Sequence, residues 1–119
     1  MYKKLERWVG HEFESSTIRT EEYIAFEKDF LGTIKKELKE RGIEYVNVGK
    51  SHFQCSCIVQ NTNTQKYAYF SISDVRFWQD EWSYKILYRT CEGPKDYTGG
   101  HNNYCDVESL VNNLERITK

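Results

Sequence analysis

The chain has 119 residues, with 17 Lys plus Arg against 18 Asp plus Glu and a net charge of −1. That length holds one domain, residues 1–119, and the balanced charge excludes the whole-domain basic excess of a dedicated nucleic-acid binder, though not a local basic face. Hydrophobic residues make 39% and aromatic residues 15%, a globular composition rich in rings, and no run approaches the 18 apolar residues of a membrane span.

The first eight residues, Met1 to Trp8, contain no apolar stretch of the kind a secretory signal needs, so the expected location is cytoplasmic. Trp8, Val9 and Phe13 imply that this segment packs against the body of the protein. Thr20 then reads as an N-cap, followed by Glu21 and Glu22 where negative charge suits the helix dipole. Tyr23, Phe26, Phe30, Ile34 and Leu38 recur every three or four residues, which predicts an amphipathic helix over about 20–41. Gly42 fits the position just past its end.

After Gly42 the period falls to two. Ile43 to about Gly49, His52 to Gln60, Lys66 to Ser73 and Ser83 to Cys91 are the predicted strands. Asn61-Thr62-Asn63-Thr64 between the second and third is turn chemistry. Residues 92–104 carry Pro94, Gly99 and Gly100 and read as a long loop. Asp106 is the next N-cap, and Val107, Leu110, Val111, Leu114 and Ile117 form the stripe of a short C-terminal helix. The expected fold is α+β: an antiparallel sheet of three to four strands, covered on one face by an N-terminal and a C-terminal helix. Tyr67 and Tyr69 fall on the other sheet face, which this arrangement leaves partly open to a partner.

Cys55, Cys57, Cys91 and Cys105 are the sharpest chemical feature. Two alternatives stand. Four thiolates are a common structural zinc set, with His101 a substitute ligand and a nearby helix N-terminus favouring the Cys105 thiolate. Equally, free cysteines are often small buried hydrophobes. A disulfide or redox role is a lesser option in a cytoplasmic chain. His11, His52 and His101 sit in no metalloprotease motif, and no phosphate loop or nucleophile elbow occurs. Pairing of Cys57 or Cys91 with His52 or His101, or of Asp74, Asp80 and Glu81 with each other, would be needed for hydrolase chemistry.

Asp74 to Trp82 packs Phe77, Trp78 and Trp82 among four charges. Trp, Tyr and Arg dominate interface hot spots, so Trp78, Asp80, Glu81 and Trp82, extended by Tyr67 and Tyr69, are the candidate partner-binding residues. A nucleic-acid reading would use the same rings for stacking, with Lys50, Lys66, Lys85 and Arg89 on phosphates; the overall charge argues against strong direct binding of that kind.

Gly49-Lys50-Ser51-His52-Phe53, Ser71-Ile72-Ser73-Asp74-Val75-Arg76 and Lys95-Asp96-Tyr97-Thr98-Gly99-Gly100 resemble segments of small accessory proteins carried by bacterial mobile elements and phages. In size and composition the chain is similar to the anti-CRISPR proteins of such elements. The likeness covers at most the last two thirds of the chain, and no shared motif carries a functional residue across. It implies a non-enzymatic inhibitor that binds a CRISPR effector nuclease. The alternatives from the residues are a cysteine- or metal-dependent small hydrolase and a nucleic-acid-binding accessory protein.

Overall fold

A computed structural model describes residues 2–8, 11, 20–50, 55–72, 86–97 and 100–119, the side chain of Lys50 excepted. In chain order the elements are α1 (Lys3–Glu6), α2 (Glu21–Glu40), β1 (Ile43–Lys50), β2 (Cys55–Asn61), β3 (Tyr67–Ile72), β4 (Ile86–Cys91), β5 (Asn103–Cys105) and α3 (Val107–Ile117).

Both long helices begin where their caps stand. The Thr20 side chain accepts a hydrogen bond from the Tyr23 amide at 3.1 Å, and Asp106 accepts from the Ser109 amide at 2.8 Å. Each satisfies an amide that the helix itself leaves orphaned, worth about 1 kcal/mol. α2 stops because Gly42 adopts φ +72°, and a Cβ there would meet the Asn63 side chain at 2.7 Å. The Gly42 carbonyl in turn accepts from the Thr62 amide and hydroxyl, tying the helix end to the β2–β3 turn.

The sheet is a meander in the order β1-β2-β3-β4-β5, antiparallel throughout, with β1 and β5 at its edges. β1 carries a bulge between Tyr45 and Asn47. One face supplies Cys55, Cys57 and Val59 from β2, Ala68, Phe70 and Ile72 from β3, and Ile86 and Tyr88 from β4 to the core. Against it pack Tyr23, Phe26, Phe30, Ile34 and Leu38 of α2 and Val107, Leu110, Val111 and Leu114 of α3. Each such side chain taken fully from water contributes about 1.5–3 kcal/mol, so this layer dominates stability. α1 closes one end of the core. Leu5 is fully buried, and the Trp8 ring meets Phe26 edge-on at 5.7 Å.

The α+β class and the antiparallel sheet match the sequence reading. The strand count does not: the described residues form five, because Asn103–Cys105 pairs with Ile86–Tyr88, its first two residues falling in the stretch read as loop. α1 is a further addition. No helix among the described residues is long and apolar enough to cross a membrane.

Candidate functional site

The register separates the four cysteines. Cys55 and Cys57 share the core face of β2, with sulfurs 3.8 Å apart. Cys105 is on the same transverse row as Cys55, through Ile72 and Ile86, so three strand spacings of about 14 Å intervene. Cys91 pairs with Tyr67 and lies five residues from the core-facing Ile86, on the opposite face and at the far end of β4. A tetrahedral zinc site needs every sulfur about 2.3 Å from one point. The four positions do not fit that requirement. Nor do any three His, Cys, Asp or Glu side chains among the described residues form a metal-holding group. His101 is exposed on the connection into β5.

The thiols are also held away from reactivity. The Cys57 thiol is pushed far up by its hydrogen bond with Cys55 and by burial. Burial pushes Cys105 up to about 11, with Asn113 opposing and Asp106 adding to the shift. This corrects the expected dipole effect: Cys105 lies before the cap, and desolvation outweighs the helix field. Burial also raises Cys91, which is only half-buried. In the folded protein an alkylating reagent is therefore expected to modify Cys91 first, faster as pH rises through its raised pKa. Cys55, Cys57 and Cys105 should react only on unfolding. Mass-spectrometric mapping of early adducts checks this, and simultaneous labelling of all four thiols would contradict it.

The second sheet face is not an open platform. Ile58, Tyr69 and Arg89 align across β2, β3 and β4 there, and all are buried. The connection after β4 roofs them. Asn47 of β1 donates to the Pro94 carbonyl at 2.9 Å, and the Tyr97 ring meets Tyr69 edge-on at 5.8 Å. The Arg89 guanidinium lies 4.3 Å over the Tyr69 ring and donates to Asn102 Oδ1 at 2.9 Å and to the Tyr97 carbonyl. Tyr69 is thus a structural layer rather than a contact residue, and Arg89 is not free for phosphate. Tyr67 stays half-buried. Trp78, Asp80, Glu81 and Trp82 lie outside the described residues, as do His52 and Lys85.

The surface that stands out is the solvent side of α2. Lys28, Lys35, Lys36 and Lys39 are exposed along it, and Lys3 and Lys4 of α1 lie alongside. These are six of the chain's eleven lysines. None makes an ion pair among the described residues. Four of the six acids of α2 are engaged or buried, while Glu21 and Glu40 stand exposed at its two ends. Glu22 faces His11 at 3.4 Å, and Asp29 takes hydrogen bonds from Arg7 at 2.8 Å and Trp8 Nε1 at 3.0 Å. Glu37 bonds the Tyr2 hydroxyl; burial first, then Glu37, pushes that hydroxyl up to about 12. Glu27 is buried. The result is a cationic ridge on a chain of near-zero net charge. Ile24, 47% exposed, continues it toward the helix start. On one flank a groove of about 330 Å³ runs between α2 and β1, floored by Leu38, Ile43 and Tyr45 and rimmed by Lys35, Lys39 and Glu44.

The sequence reading named none of these lysines as a site. The signal was present: residues 28, 35, 36 and 39 fall opposite the apolar stripe on a helical wheel. Comparison with family models, curated proteins and solved structures returns no match for this chain.

Proposed function

We propose that the chain is a non-enzymatic binding protein that docks on a larger partner, most concretely an inhibitor of a CRISPR effector nuclease that blocks DNA loading or cleavage. The observation that carries the binding reading is the α2 ridge, where Lys28, Lys35, Lys36 and Lys39 are exposed without an ion pair among the described residues and four of the helix's six acids are engaged or buried. Exposed like charges in a row destabilise a helix slightly, so the arrangement fits a surface neutralised by a partner. The partner class rests on the resemblance of the sequence to mobile-element accessory proteins. The raised thiols support a non-enzymatic reading, since a nucleophilic cysteine needs its thiolate favoured.

Trp78, Asp80, Glu81 and Trp82 form a second proposed contact. Affinity capture with the tagged chain from a lysate containing CRISPR effectors should recover an effector in stoichiometric amount. Order-of-addition cleavage assays with that effector should then show inhibition when the chain is added before DNA. Trp78→Ala or Trp82→Ala, in a folded chain, is expected to weaken the complex by about 2 kcal/mol. Recovery of no effector, with undiminished cleavage in the assay, would reject the reading.

A further inference from the structure

Gly32 sits in the middle of α2 without a structural reason. It is exposed and points directly away from the core residues Phe30 and Ile34, two positions to either side. A Cβ built on it meets nothing within 4 Å, and its φ is not positive. Glycine in a helix interior costs about 1 kcal/mol relative to alanine, so the fold would be better served by almost any other residue.

The surroundings of Gly32 point to what the gap accommodates. Lys28 lies about one turn before it, and Lys35 and Lys36 about one turn after; the row from Lys28 to Lys39 is about 16.5 Å long. Beside it a shallow groove of about 280 Å³ opens between α1 and α2, lined by Tyr2, Lys3, Lys4, Gly32, Thr33 and Lys36. The Thr33 hydroxyl oxygen is buried and has no hydrogen-bond partner among the described residues. A bare backbone crest, flanked by cations and edged by a cationic groove, is a landing strip for a chain of anions.

We infer that the α2 ridge binds the phosphate backbone of a nucleic-acid duplex, with Gly32 at the point of closest approach. This rests on the binding reading above and adds the chemistry the ridge takes, a nucleic-acid duplex. Nucleic acid is favoured over an acidic protein surface by the glycine. Carboxylates ride on side chains and reach lysines without the two backbones meeting. Phosphates lie in the backbone itself, so their approach requires a gap in the protein. With few lysines, the binding is weak at physiological salt and steep in its salt dependence.

The test is fluorescence anisotropy of a labelled 20-base-pair DNA duplex of mixed sequence against the full chain, from 50 to 200 mM KCl. The expected slope of log K against log salt is about −3 to −4, one unit of roughly −0.9 for each ridge lysine engaged. Lys35→Gln with Lys36→Gln should reduce that slope by about 2. Gly32→Gln leaves the charge unchanged and should raise the thermal midpoint by a few degrees. It should nevertheless weaken duplex binding at least tenfold, because the new side chain holds the backbone off. A purely structural glycine would give the stabilisation without the lost binding. The inference is overturned by no duplex binding at 50 mM KCl, or by affinity unchanged in both variants. If an effector is captured while the duplex is not bound, the inhibitor reading stands and this inference falls. If the duplex binds through the ridge and no effector is recovered, the inference stands and the inhibitor reading falls.

Discussion

Phe70→Ala is expected to lower the unfolding free energy by about 3–5 kcal/mol, the range for emptying a buried aromatic site. Phe70 is fully buried at the middle of the central strand β3. Its ring centroid lies 6.4 Å from those of Phe30 on α2 and Tyr45 on β1. It is therefore where the first long helix, the sheet edge and the sheet centre meet. A cavity there cannot be closed by shifting one helix without disturbing the other contacts. Phe70→Leu keeps most of the volume and should cost much less. Urea denaturation monitored by far-UV circular dichroism measures both, and a loss below about 1 kcal/mol for Phe70→Ala would contradict this placement of the core.

The second large effect belongs to the roof over the other sheet face. Arg89→Ala should cost about 2–4 kcal/mol. It removes the donor to the Tyr97 carbonyl and to Asn102, leaving both oxygens to find water, and it removes the cation from the Tyr69 ring. Arg89→Lys keeps the charge but cannot bridge two acceptors and a ring in one plane, so it should recover little. The loss should be accompanied by faster protease cleavage within residues 92–102 than in wild type. Wild-type stability with a protease-resistant connection in Arg89→Ala would show that the roof does not depend on this residue.

The two long helices were legible because their information is local. Thr20, Asp106 and Gly42 mark ends, and the apolar stripes mark faces. β2 and β3 were legible from alternation around a turn-rich tetrapeptide. β5 was not, because three residues contain no period and Asn103–Cys105 is a strand only through its pairing with β4. The roof was invisible for a related reason. Residues 92–104 read as loop, and the burial of Tyr69 and Arg89 depends on where that loop crosses the sheet. The separation of the cysteines was partly readable. Cys91 is an odd number of residues from Ile86, so strand parity alone places it away from the core face. The distance from Cys55 to Cys105 needed the strand order, which no local pattern in the sequence specifies.

The two borders of the sheet have consequences for how the molecule behaves in a concentrated solution. A strand with nothing on its outer side offers a template on which another copy can grow, and growth at both sides would give fibres. Here β5 exposes a border only three residues long, and β1 is interrupted by its bulge between Tyr45 and Asn47. Neither border presents a straight ladder long enough to seed stacking. A meander so rich in aromatic and aliphatic strands thus offers little on which copies of itself could stack.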